Sequence, residues 1–264
     1  MESRNPVFNR TDSFKHGGYA TFGSGSASSA DLEQLYESPS ATPVQTGRMT
    51  LDDVVVRTAT LFAVLLAGAG VTYFVLAPTP VLVIGAALVG FVLAMIASFG
   101  KPKPAVMIAY AAVEGVFVGG ISTWYAAAFE GIVPQAILGT LTAFASMLFM
   151  YKAGIVRNSP KFTRVLMIAA VGYLVFGLLN LVLSAFTSWQ NVYSSGGLLP
   201  IVISAFGVVL ASFFLVLDFD FVEQGIRNGL PRVYSWTAAF GLVVTLVWLY
   251  LEILRLLAIL RGDD

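Results

Sequence analysis

From residue 53 onward the sequence is built of apolar runs each about as long as a membrane is thick, and few folds accommodate that. A hydrocarbon core about 30 Å thick takes roughly 20 helical residues to cross. The runs at 55–76, 80–99, 104–128, 133–152, 162–186, 198–221 and 235–260 all suit that length. They predict an all-α membrane protein, a bundle of seven transmembrane helices in contact with the lipid bilayer. Turn-forming segments stand between the runs: Pro78 and Pro80, Lys101-Pro102-Lys103-Pro104, Glu130-Gly131, Asn158-Ser159-Pro160, Ser194 to Gly197, and Asn228-Gly229-Leu230-Pro231. Composition agrees, with 57% hydrophobic and 11% charged residues, against about one-quarter charged in soluble domains.

Residues 1–52 differ. They are rich in Gly, Ser, Thr, Asn and Pro, as in Gly23-Ser24-Gly25-Ser26-Ala27-Ser28-Ser29, and lack a sustained apolar period. Such a stretch buries too little surface to offset its ordering entropy, which predicts a disordered tail ahead of a transmembrane domain over 53–264. With the first long apolar run so late, the amino terminus does not read as a signal peptide.

The distribution of charge gives the bundle a direction. Arg4, Arg10, Lys15, Arg48 and Arg57, then Lys101 and Lys103, then Lys152, Arg157, Lys161 and Arg164, then Arg227 and Arg232 fall on one side, and the alternate loops carry no basic residue. Basic residues near span ends stay cytoplasmic, so the amino terminus is expected in the cytoplasm and the carboxyl terminus outside. Fifteen basic and fifteen acidic residues cancel, leaving no global field to attract nucleic acid. Without cysteine there is no disulfide, thiolate centre or cysteine nucleophile, and with His16 as the single histidine no zinc or haem cofactor is expected. Gly68, Gly115 and Gly119 are small residues that let helices approach closely.

The chemistry concentrates in Glu114, Asp218, Asp220 and Glu252, which fall inside apolar spans or at their edges. A carboxylate at bilayer depth costs about 2.5 to 3.5 kcal/mol on insertion scales, so each needs an interior partner or a functional reason. Glu114 lies mid-span beside Gly115, with Asn180 of the fifth span as a structural partner to weigh against a functional role. Asp218 and Asp220 point about 200° apart on one helix, so at most one faces the bundle centre. The other reaches the interface, where Arg227 and Arg232 are available. Glu252 has Arg255 three residues on, which permits a plain ion pair. Thr245, seven residues earlier, continues the same polar stripe and turns the last helix toward the interior.

Two carboxylates from different helices could share a proton or hold a hard cation such as calcium, with Asp218, Asp220 and Glu252 as ligands. A bridging proton would hold the helices together, and its loss would favour separation or cation entry.

The Glu114-Gly115 motif, the Leu217-Asp218 to Glu223 end of the sixth span and the closing Leu251-Glu252-Ile253-Leu254-Arg255-Leu256-Leu257 resemble the Bax inhibitor-1 family, the transmembrane Bax inhibitor motif proteins, in its bacterial YccA-like branch. The resemblance covers all seven spans and excludes the tail. It implies a bundle with a central last helix, residing in the bacterial inner membrane and acting as a pH-dependent calcium leak. In relatives an aspartate of the sixth helix and one of the seventh form the proton sensor. Asp218 or Asp220 matches the first. The family spacing back from Arg255 reaches Thr245, leaving Glu252, two turns further along, to take the second place. The alternative implied is a non-conducting regulator that binds a membrane protease. An enzyme is not expected, since no His-Glu-x-x-His, Gly-x-Ser-x-Gly or phosphate-cradling loop occurs.

Overall fold

A computed structural model describes residues 47–188 and 190–262 of the chain. Seven helices make up the fold: α1 (Leu51–Phe74), α2 (Pro80–Ser98), α3 (Pro104–Ala128), α4 (Ile132–Lys152), α5 (Pro160–Phe186), α6 (Leu198–Arg227) and α7 (Tyr234–Gly262). All seven are long and apolar enough to cross a membrane. Among the described residues there is no strand, only an isolated bridge between Arg48 and Pro231.

Local chemistry explains the helix starts. Thr50, Thr79 and Ser159 each accept a backbone N–H with the side-chain oxygen at an N-cap, and proline occupies the first turn of α2, α3 and α5, where a missing N–H costs nothing. α6 continues six residues past the expected end at 221, through Glu223 and Arg227, which pair one turn apart. It closes on Gly229 at φ 64°, where the Leu230 N–H reaches the Gly225 carbonyl and the Gly229 N–H reaches that of Ile226. This arrangement satisfies carbonyls that the helix end would orphan.

The segment read as a disordered tail lies outside the described residues over 1–46. Residues 47–52 do not behave as tail. Met49 is buried, its N–H bonds the Leu230 carbonyl at 2.7 Å, and the Arg232 N–H bonds the Gly47 carbonyl at 2.9 Å. Asp53 then takes the Arg232 Nε at 2.8 Å, and Arg57 stacks over Trp236 at 5.4 Å. The start of α1 is thereby fastened to the α6–α7 connection.

α7 is the most enclosed of the seven helices, and α5 the least. It packs against α6, α1, α4 and α3, so the last helix is central as expected. α1 and α3 form the closest pair. A Cβ at Gly68 would lie 2.7 Å from the Ala112 carbonyl oxygen, and one at Gly119 would lie 2.9 Å from the Ala69 Cα. The expectation of close approach at Gly68, Gly115 and Gly119 thus matches a backbone interlock, the packing that joins helices where lipid removes any hydrophobic drive between them.

Candidate functional site

Two polar sites lie along α7, separated by the seven residues from Thr245 to Glu252, about 10 Å of helix. At the first, Asp218 of α6 faces the Thr245 side chain of α7. Gly241, one turn before Thr245, leaves the room: a Cβ there would sit 3.1 Å from Asp218 Oδ1. Oδ2 of Asp218 is buried and has no hydrogen-bond partner among the described residues. A carboxylate oxygen held away from water without a donor is costly, and such atoms are rare in native structures. This one lies on the seam between two helices, where a change of protonation would act on their packing.

Asp220 faces elsewhere. It accepts from Asn158 Nδ2 at 2.6 Å and Gln224 Nε2 at 2.5 Å, which ties α6 to the α4–α5 connection. The two aspartates therefore divide as the helical period requires, with Asp218 at the seam.

At the second site Glu252, 3% exposed, is enclosed by donors. Tyr173 Oη of α5 lies at 2.8 Å, Trp248 Nε1 at 3.1 Å, and Arg255 Nη1 at 3.0 and 3.2 Å from the two oxygens. The Arg255 guanidinium stacks over the Tyr193 ring at 4.6 Å, and Tyr193 lies beside Tyr173. Tyr193 belongs to a short 3-10 turn, Val192–Ser194, in the α5–α6 connection. Gly207 of α6 again makes the space, since a Cβ there would come 2.6 Å from Glu252 Oε2.

The structure corrects three expectations. Glu252 does not replace the second aspartate of a carboxylate pair; it forms the ion pair with Arg255, and Thr245 itself meets Asp218. Asp218, Asp220 and Glu252 do not converge as calcium ligands, and no group of three His, Cys, Asp or Glu side chains able to hold a metal occurs among the described residues. Asn180 does not reach Glu114. Its Nδ2 donates to Asn191 Oδ1 at 3.0 Å and its Oδ1 accepts the Val192 N–H at 3.1 Å, fixing the α5–α6 connection from below. Asn180→Leu is expected to orphan the Val192 N–H at a cost of about 1 to 3 kcal/mol. Hydrogen exchange at Val192 faster than in the unaltered chain, with α7 exchange unchanged, is the corresponding observation.

Glu114 stands apart from both sites, between α2 and α3. It faces Gly90, whose Cβ position lies 2.9 Å from Glu114 Oε2. Each of the three acids set between helices, Glu114, Asp218 and Glu252, thus meets a glycine of the neighbouring helix: Gly90, Gly241 and Gly207. Sequence reasoning singled out none of these glycines, nor Tyr173, Tyr193 and Trp248. The available signal was a helix-interior glycine, which costs about 1 kcal/mol against alanine unless something needs the space.

A family model described as Bax inhibitor 1 like matches residues 5–262 of the chain. An uncharacterized protein of Chlamydia muridarum (strain MoPn / Nigg) is 34% identical over 93 residues, covering 34% of this chain and 39% of that protein's length.

Proposed function

The chain belongs to the Bax inhibitor 1 like family, and from that premise we propose that it is a non-enzymatic, pH-sensitive cation leak passing calcium, in which Asp218 carries the controlling proton. The observation that carries this reading is the buried, unpartnered Oδ2 of Asp218 at the α6–α7 seam. With a proton on that oxygen the side chain is neutral, and the seam closes around it. Without the proton, an unpaired charge sits between two helices, and the way to satisfy it is to admit water or a cation. Thr245 supplies a hydroxyl where relatives are expected to place a second acid, so one carboxylate titrates in place of a pair. We place the protein in the YccA-like branch and in a bacterial inner membrane, its amino terminus cytoplasmic by the distribution of basic residues.

Flux tests this directly. Calcium entry into proteoliposomes is expected to rise from about pH 6 to about pH 8 as the seam loses its proton. Asp218→Asn, a neutral isostere of the protonated acid, should hold flux at the acid-side level throughout. Flux no greater than in empty vesicles removes the leak and leaves the non-conducting regulator of a membrane protease. A pH response that survives Asp218→Asn removes Asp218 as its source.

A further inference from the structure

Gly90 differs from the glycines of the α1–α3 interlock. Those positions would strike backbone, whereas a Cβ at Gly90 would meet only Glu114 Oε2 at 2.9 Å and Val113 Cγ1 at 3.9 Å. Position 90 therefore clears space for a carboxylate. That carboxylate receives no hydrogen bond from the protein, and no Lys, Arg or His lies against it among the described residues. Tyr110, one turn earlier on α3, is a titratable neighbour that feels its charge. The two sides form an open crevice of about 210 Å³, with Ala87, Phe91, Ala94 and Phe117 completing its wall.

The crevice opens to lipid. α2 packs chiefly on α3, and its outer face presents Leu88 and Phe91, 63% and 66% exposed. Gly90 and Glu114 each lie ten residues into their helices, about 15 Å from the helix start and so near the centre of a hydrocarbon core about 30 Å thick. A phospholipid headgroup, anchored at the interface, does not reach that depth. Ionised against an incoming cation, a carboxyl in an aromatic and aliphatic cleft only accepts hydrogen bonds, and so is complementary to a compact cationic donor on an apolar body.

We propose that the α2–α3 crevice is a binding site for a lipophilic ammonium ion that enters from the bilayer, its head on Glu114 and its aliphatic body along Phe91 and Phe117. The site is independent of Asp218 and of the leak. Radiolabelled dodecylammonium, equilibrated with the full chain in nanodiscs and corrected for empty nanodiscs, is expected to bind saturably. Glu114→Gln should weaken binding about tenfold or more, the effect of losing one charge-assisted contact. Asp218→Asn should leave it unchanged, and dodecanol, which has the same tail without the charge, should not compete. Ala94→Phe keeps the carboxylate but fills the cavity, and it too should weaken binding. No saturable excess over empty nanodiscs, or wild-type affinity retained by either Glu114→Gln or Ala94→Phe, overturns the proposal.

Discussion

Arg255→Met is expected to lower the stability of the bundle by about 3 kcal/mol, the lower end of the range for removing one partner of a buried ion pair. Glu252 is 3% exposed, and Arg255 contacts both of its oxygens. Without the guanidinium the carboxylate keeps the Tyr173 and Trp248 donors but loses the counter-charge that Arg255 supplies. Those donors, and the 32% exposure of the Arg255 side chain, keep the loss near the low end. The substitution also removes the cation stacked on Tyr193, so the α5–α6 connection loses an anchor. A double variant, Glu252→Gln with Arg255→Met, abolishes both charges. It should recover most of the loss, because an uncharged replacement of similar volume is often as stable as the pair. Unfolding free energies in bicelles decide the matter. A single-variant loss under about 1 kcal/mol, or a double variant no better than the single, would show that the two charges are not coupled.

The ease with which each feature could be read from sequence follows from how locally it is encoded. Membrane crossing depends on summed apolarity over one segment, and the flanking prolines and N-caps are local, so seven spans were visible directly. The start of α1 came out late because Asp52 and Asp53 interrupt the apolar run, while Thr50 caps the helix and Asp53 is held by Arg232 from the far end of the chain. The Glu252–Arg255 pair was legible because three residues along a helix share a face. Tyr173, 79 residues from Glu252, was not. For Asp218 and Asp220 the 100° period showed that one at most turns inward, but the choice is made by Thr245 and Gly241 on another helix. Asn180 marks the limit of pairing polar residues by type alone: it serves the turn 11 residues away, not the acid on α3.

Gly115→Leu should be more damaging than any side-chain change at the polar sites. A Cβ at this position runs into the Leu65 carbonyl oxygen, and would also lie 3.0 Å from the Ala69 nitrogen and 3.1 Å from the Gly68 Cα. All three obstacles are backbone, so no rotamer change on α1 relieves the clash; α1 has to move off α3. Overpacking a core that can repack costs about 1 to 3 kcal/mol. With side-chain relief excluded, a loss above about 3 kcal/mol is expected, enough to separate the two helices. Gly70→Leu, two residues from Gly68 on the same helix, meets nothing within 4 Å and should be nearly neutral. Gly207→Ala is the intermediate case: its contacts are the Tyr173 hydroxyl and the Glu252 carboxylate, ends of side chains that can shift at the expense of their hydrogen bonds. Unfolding measured across these three variants should therefore rank Gly115→Leu well above Gly207→Ala, and Gly207→Ala above Gly70→Leu. Equal losses at 115 and 70 would mean that added bulk in the membrane, and not the α1–α3 backbone contact, sets the penalty.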